Sequence, residues 1–325
     1  MSHFLILLAA IVLDRLVGDP PWLWQRLPHP VVLFGKAIDL FETPLNRTTF
    51  TPEGRRLNGV VTIIALLVGS VVVGQLMTTI FRHLGVVGLL VEVVVVAIFL
   101  AQKSLGDHVQ AVADGLMQDG LEGGRRAVSM IVGRDPKTLD EAGVSRAAIE
   151  SLSENFADGV VAPALWYAIA GLPGILAYKM LNTADSMIGH KNDRFRDFGW
   201  ASARLDDLAN WPAARLSAGF IALAAALRLG TLAGRRSFSA ALRDSGLHRS
   251  PNSGWPEAAM AGALDLQLAG PRVYGGVRVS EPMMHASGRN DAGARDIQRG
   301  IQVFDTACTL MAAVVTLPAI IVAVV

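Results

Sequence analysis

The chain has 325 residues, 52% of them hydrophobic and 18% charged, with a mean hydropathy of +0.41 and a formal net charge of +1. That is too apolar and too sparsely charged for an ordinary soluble protein, and with its arginines spread over several loops it gives no support for nucleic-acid binding. A single cysteine, Cys308, excludes an internal disulfide and a cysteine zinc site, and reads as a small buried hydrophobe.

Taken in order, residues 4–17 are apolar but interrupted by Asp14 and Arg15. They lack a basic leader and a cleavage site, so they read as an N-terminal membrane helix, short or partly interfacial. Gly18, Asp19, Pro20 and Pro21 stop it, because proline cannot continue the hydrogen-bond ladder. Trp22 and Trp24 follow, of the type that favours a membrane interface, then His29-Pro30 and an amphipathic stretch to Phe41. Residues 59–81 and 84–101 are each about long enough to cross a bilayer and are joined by almost nothing, so they read as a transmembrane hairpin. Glu92 lies inside the second run and is expected to face the bundle, protonated or paired.

Residues 102–154 are polar and helix-forming, with breaks at Gly120 and Gly123-Gly124, a turn at Gly133-Arg134-Asp135-Pro136, and a short amphipathic helix over 144–152. They predict a small extramembrane helical subdomain. Residues 159–177 are apolar but interrupted by Pro163, Gly171, Pro173 and Gly174, and a broken helix at membrane depth needs protein or a polar cavity to satisfy its backbone. Residues 217–229 look too short to span, at about 13 against the roughly 20 required. Both read as half-spans or buried core helices flanking a polar stretch, 178–216. A second polar region covers 230–302, and residues 303–325 form the last membrane helix. The fold class is therefore all-α: a polytopic integral membrane helical protein with about 4–6 membrane segments, some broken or half-spanning, and helical extramembrane loops. It reads as one membrane-embedded domain over residues 1–325, with polar loop regions at 18–58, 102–158, 178–216 and 230–302. The segments before and after the hairpin fall on one side of the membrane, and their basic residues, including Arg26, Lys36, Arg55, Arg125 and Arg146, make that side cytoplasmic.

Three constellations carry chemistry: Glu154, Asn155 and Asp158; Asn182, Asp185 and Ser186; and Asp206, Asp207 and Asn210. Within each, spacings of three and four put the side chains on one helix face. Oxygen-rich sets of this kind suit Mg²⁺, which takes one or two carboxylates and completes its shell with water and substrate phosphates. Lys179, Lys191, Arg194, Arg196, Arg204 and Arg215 are interleaved with them; arginine forks and lysine charges match phosphate oxygens. A membrane-topology signal would account for the bases but needs no acids among them. His29 and His190 lack the spacing of a zinc motif. The loop at 250–257, S-P-N-S-G-W-P-E, runs into a small-residue helix whose N-terminus is able to meet an anion. No Walker A pattern, dinucleotide-binding glycine fingerprint or Gly-x-Ser-x-Gly elbow is present.

The order of these residues is similar to one family. Glu154-Asn155, the run from Asp158 through Pro163, Tyr178-Lys179, Asn182-Thr183, Asp185-Ser186-Met187, Gly189, Lys191-Asn192, Phe198-Gly199-Trp200, Arg204-Leu205-Asp206-Asp207 and Arg215-Leu216 resemble the adenosylcobinamide-phosphate synthase family of cobalamin biosynthesis (CobD/CbiB). So do the loop around Asn252 and the N-terminal Asp14, Gly18-Asp19-Pro20 and His29-Pro30-Val31. The resemblance covers nearly the whole chain. It implies a multi-pass enzyme of the inner (cytoplasmic) cell membrane that joins aminopropanol, or its O-phosphate, to the free propionate of adenosylcobyric acid at the expense of ATP. The active site is expected on the cytoplasmic side, with Mg²⁺ and ATP, a corrinoid substrate, membrane lipid around it and other membrane-associated cobalamin enzymes as neighbours. Asp185, Asp206 and Asp207 are then metal or phosphate-positioning residues, with Glu154 and Asp158 as a second carboxylate pair. Lys179, Lys191, Arg194 and Arg204 hold phosphates; Asn155, Asn182, Ser186, Asn192, His29 and Asn252 line the substrate, and Glu154 and His29 are the candidates for general base. The rival expectations are a transporter of a polar or anionic metabolite, motivated by the broken helices and Glu92, and a non-catalytic membrane scaffold.

Overall fold

The computed structural model describes residues 3–133, 136–270, 272–274, 277–279 and 281–324. Arg134 and Asp135, in the turn expected at 133–136, lie outside the described residues. In chain order the helices are α1 (His3–Val17), α2 (Pro21–Trp24), α3 (Pro30–Leu45), α4 (Pro52–His83), α5 (Gly85–Phe99), α6 (Gln102–Val128), α7 (Glu141–Phe156), α8 (Ala162–Ile188), α9 (Trp200–Leu229), α10 (Thr231–Asp244), α11 (Gly254–Leu264) and α12 (Ala294–Val324). Between α11 and α12 the short strands β1 (Leu268–Ala269), β2 (Arg272–Tyr274), β3 (Val277–Val279) and β4 (Met283–Met284) form two antiparallel pairs, β1 with β4 and β2 with β3. The protein is all-α. Among the described residues, five helical stretches are long and apolar enough to cross a membrane: Pro52–His83, Gly85–Val128, Glu141–Ile188, Trp200–Leu229 and Ala294–Ile320.

The chain forms two compact units. The first takes the described residues of Met1–Ala101, Ala162–Asn210 and Pro318–Val325; the second takes Gln102–Val161 and Trp211–Leu317. In the first, α4 and α5 make the expected hairpin, with α8 packed along α4 and α1 along α5. The contact with α8 is close because α4 offers a glycine there: a Cβ on Gly74 would lie 2.6 Å from the Pro173 backbone. Small residues let membrane helices approach in this way. The outer face of α4 exposes Val61, Ile64, Val68, Val72, Leu76 and Ile80, spaced at three and four residues for an apolar surround. The break expected in α8 is present. Gly171 sits at φ 62°, two residues before Pro173, and interrupts the helix in a conformation that suits glycine. Glu92 is buried and accepts a 2.7 Å hydrogen bond from Tyr167 Oη, which gives this intramembrane carboxyl the partner it was expected to need.

In the second unit α6 packs on α7, and α11 on α7 and α10. The segment 144–152 was expected to be amphipathic, but α7 is buried continuously from Gly143 to Ala148 save Arg146, and again from Ile149 to Ser153. Its serines mislead because their hydroxyls are satisfied inside the fold; Ser153 Oγ, for example, donates to the Ile149 carbonyl at 2.7 Å. Cys308 is buried in α12, as expected. That helix begins at Ala294, well before the apolar run at 303.

Two further expectations are corrected. The stretch 178–216 is not a loop: its first part is the end of α8, its last part the start of α9, and only the residues between Ile188 and Trp200 lie outside helices. For the same reason residues 217–229 are not a half-span, because they continue a 30-residue helix straight through Pro212. Asp206, Asp207 and Asn210 hide that helix from a hydropathy reading by interrupting its apolar run.

A polar knot closes the segment after α11. Asp265 and His285 both adopt left-handed backbone, at φ 59° and 50°. His285 Nε2 lies 2.8 Å from Asp265 Oδ1, and the His285 amide donates to Asp244 Oδ2 at 2.8 Å. Arg236 donates to Asp265 Oδ2 at 3.1 Å, and both ends of the Arg243 fork grip Asp244 at 2.7 Å. The hydrogen bond from His285, and then the charge of Arg236, hold the Asp265 carboxyl below the usual carboxylate range against the opposing effect of burial. A depressed native value means that the stabilisation is complete above the unfolded aspartate value of about 3.9 and is lost as pH falls through the native one. The thermal midpoint is therefore expected to fall between about pH 5 and about pH 3, and less steeply in Asp265→Asn. Parallel slopes for the two proteins would remove Asp265 from the account.

Candidate active site

In the first unit the acidic residues lie where α8 ends and α9 begins. Asp206 is buried, at 8% exposure, one and a half turns into α9. Its Oδ2 accepts from Asn210 Nδ2 at 2.9 Å, and Asn210 Oδ1 in turn accepts from Tyr178 Oη at 2.8 Å. Asn182 lies beside it, and the charges of Asp185 and Asp207 act on it. Its other oxygen, Oδ1, is buried with no hydrogen-bond partner among the described residues. Asp207 faces Arg204 at 3.8 Å and feels Lys191. The sequence-predicted Asp185, Asp206, Asp207, Asn182, Lys191 and Arg204 thus come together. Lys179 lies on α8 one turn before Asn182 and Thr183, whose hydroxyl donates to its carbonyl. Ser186 is exposed and donates to the Asn182 carbonyl at 2.9 Å.

Gly189 is required where α8 stops. A Cβ there would lie 1.9 Å from Asp185 Oδ1 and 2.6 Å from the Asp185 carbonyl oxygen. The carboxylate of Asp185 occupies the space a side chain would fill.

Several predicted ligands have partners within the fold. Asn192 Oδ1 accepts the backbone amides of Arg194 at 3.1 Å and Phe195 at 2.9 Å, and so shapes the loop. Arg194 is committed through Nε and Nη2 to the two oxygens of Glu42 on α3, at 3.1 and 2.9 Å. His29 caps α3: its Nδ1 accepts from the Val31 amide at 3.2 Å, which leaves Nε2 as the protonated nitrogen, 3.8 Å from Asp19. In this arrangement it has no free lone pair to serve as a base.

The residues that sequence reasoning missed are those holding the 189–199 loop. Glu42 is buried at 4% exposure, and Arg55 on α4 pairs with Asp197 at 2.8 Å and donates to the Asp193 carbonyl. Glu42 shares its helix with a second acid, Asp39, so the sequence did not single it out. Glu42→Gln is expected to speed amide hydrogen exchange across residues 192–199 while leaving α9 unchanged; equal protection in both proteins would show that the ion pair does not hold the loop.

The second unit carries its own cluster. Glu154 Oε1 accepts from Ser253 Oγ at 2.9 Å. Asn155 is exposed and donates to the Ser151 carbonyl at 2.9 Å. Asp158 sits in a π-helical turn, Ala157–Val161, a wide turn often found at functional sites. Asn252 Oδ1 accepts from Arg215 Nη1 at 3.0 Å, and that guanidinium lies 4.4 Å from the Trp211 ring and 4.9 Å from the Trp255 ring. This arginine is held flat by two aromatic faces.

Among the described residues no three His, Cys, Asp or Glu side chains form a group able to hold a metal ion by themselves. Mg²⁺ does not need one, since it commonly takes one or two protein carboxylates. The bare, buried Asp206 Oδ1 beside Asp185 fits that role, because a divalent cation would offset carboxylates whose mutual repulsion is otherwise costly.

The family model described as "CobD/Cbib protein" matches residues 7–304. The chain belongs to the CobD/Cbib family. Proteins named "Cobalamin biosynthesis protein CobD" are similar to it along nearly their whole length: one from Sinorhizobium sp is 66% identical over 308 residues, covering 95% of each chain, and one from Brucella suis biovar 1 is 56% identical over 311 residues, covering 96% of this chain and 95% of the relative. A more distant CobD, from Rhodobacter capsulatus, is 44% identical over 320 residues and 98% of both chains. No solved structure matches the chain. The matched region contains both clusters of this CobD/Cbib protein, from His29 to Asn252.

Proposed function

We propose that this CobD/Cbib protein is a membrane enzyme of cobalamin biosynthesis that makes an amide bond: it joins (R)-1-aminopropan-2-ol, as its O-phosphate, to the one free propionate of adenosylcobyric acid, using ATP, at the cytoplasmic face of the inner membrane. The observation that carries the reading is the buried Asp206, with one oxygen tied down by Asn210 and the other bare, among Asp185, Asp207, Lys191 and Arg204.

The chemistry follows from the substrates. A carboxylate is a poor electrophile at neutral pH. One propionate oxygen attacks the terminal phosphorus of ATP, the bond to ADP breaks, and an acyl phosphate forms. The amine nitrogen then attacks the acyl carbon, inorganic phosphate leaves, and the amine gives up a proton. Mg²⁺ would supply charge neutralisation at the phosphates, held by Asp206 and Asp185. Lys191 and Arg204, exposed on the loop and at the start of α9, would steer and grip phosphate oxygens.

The test is to incubate the purified protein in detergent with adenosylcobyric acid, aminopropanol phosphate and Mg-ATP, and to read the corrinoid product by mass spectrometry. Amide product with ADP is the expected result. AMP in place of ADP would replace the acyl phosphate by an adenylate, and product only from unphosphorylated aminopropanol would change the amine. A folded protein that makes no amide from either amine would overturn the reading.

A further inference from the structure

The sequence from Trp211 to Arg243 holds five arginines and no acid. Four of them are engaged within the fold: Arg215 donates to Asn252, Arg228 to Thr306, Arg236 to Asp265 and Arg243 to Asp244. Arg235 is exposed and, among the described residues, has no hydrogen bond or ion pair. It lines a groove of about 790 Å³ between α9 and α10 in the second unit. Gly230, at φ 97°, turns the chain after α9, and α10 folds back on it. A Cβ on Gly234 would lie 2.6 Å from Ala226 Cβ and 2.9 Å from the Ala222 carbonyl oxygen. These small residues line the groove together with Leu223, Phe238 and Leu242, which are exposed. Exposed leucine and phenylalanine clustered beside an arginine without a partner mark an interaction surface rather than a solvated face.

Three observations say what covers it. First, α9 is long and apolar enough to cross a membrane, and its exposed Leu223 and Leu227 carry that apolar surface into the groove. Second, α10 has 14 residues, a length of roughly 20 Å against a hydrocarbon core of about 30 Å, so it does not cross. With Leu232, Phe238 and Leu242 exposed, and Arg235 one turn from Leu232 and from Phe238, it has the make-up of a helix lying in a membrane interface. Third, a two-fold contact with another copy would set this patch against itself, arginines against arginines with no acid from 211 to 243 to offset them.

We propose that the α9–α10 groove holds an anionic phospholipid of the surrounding bilayer, with its phosphate on the Arg235 guanidinium and an acyl chain along Leu223, Phe238 and Leu242. The arginine fork suits a phosphate. The inference is independent of the amide-forming reaction, because its readout is the position of the lipid.

The test reconstitutes the full chain in vesicles of equal phosphatidylcholine and phosphatidylglycerol, one of the two carrying a photoreactive acyl chain, and maps the labelled peptides by mass spectrometry. Phosphatidylglycerol is expected to label residues 222–242 about fivefold more than phosphatidylcholine, the factor that one arginine near an anionic lipid surface contributes. In Arg235→Gln that ratio should fall to about one, while labelling of the outer face of α4, at Val61, Ile64 and Val68, stays unchanged. Phe238→Ser, also at an exposed position, should lower labelling of the groove by both lipids. Equal labelling by the two lipids in the unmodified protein, or a ratio that survives Arg235→Gln, overturns the proposal. So does a groove that takes no label in a protein whose native mass is that of a dimer, which would give this surface to a second copy.

Discussion

Asp206→Asn is expected to abolish amide formation, with a fall of at least about a thousandfold in turnover while the protein still inserts and melts as a folded unit. The substitution preserves shape and removes the charge. It also leaves a single oxygen, which either accepts from Asn210 or meets the cation, so the buried oxygen that would hold the metal is lost or misdirected. Asp207→Asn is the comparison: Asp207 is only half-buried and faces Arg204 at 3.8 Å, so a smaller loss, on the order of tenfold, is expected. A titration of activity against Mg²⁺ distinguishes the causes. If Asp206 holds the metal, residual activity in the variant should need far more Mg²⁺; near-normal turnover at ordinary Mg²⁺ would remove Asp206 from the site.

Gly189→Ala should be nearly as damaging, although it removes no functional group. The added methyl would lie 1.9 Å from Asp185 Oδ1 and 2.6 Å from the Asp185 carbonyl. Contacts that short are relieved only by moving the carboxylate, the last turn of α8 or both. Displacement of about 1 Å in a reacting constellation costs on the order of a hundredfold in rate. The fall is expected in kcat, with KM for ATP little changed if Lys191 and Arg204 still reach the phosphates. Full activity in the alanine variant would show that Asp185 tolerates displacement and has no positioning role.

Much of this site was legible in the chain because polar groups beside apolar runs are costly and therefore informative. Asp185, Asp206 and Asn182 stood out for that reason, and the structure brings them together. The break in α8 was equally legible from Gly171 and Pro173. What failed was the inference from polarity to loop. Asp206, Asp207 and Asn210 are spaced for one helix face, and α9 carries them inside a single 30-residue helix. Hydropathy averages over that face and cannot see that its polar groups satisfy one another. The roles of Arg194 and Asn192 were illegible for a different reason. A basic or amide residue in a loop looks the same whether it awaits a ligand or grips its own fold, and only the distances to Glu42 and to the loop amides decide. Glu42, 152 residues away from Arg194 in the chain, offered no local clue to that pairing.

The chain of hydrogen bonds from Tyr178 through Asn210 to Asp206 has a directional consequence. The tyrosine hydroxyl fills the amide oxygen of Asn210, so its NH₂ is the end turned to Asp206. The amide flip that is nearly free for an exposed asparagine is closed off here, and with it the rotation of the carboxylate. Asp206 therefore has little conformational entropy left to lose when a cation or phosphate arrives. The ordering cost was met when α8 and α9 folded together, and a phenol on one helix sets the direction in which an acid on the next presents its lone pairs.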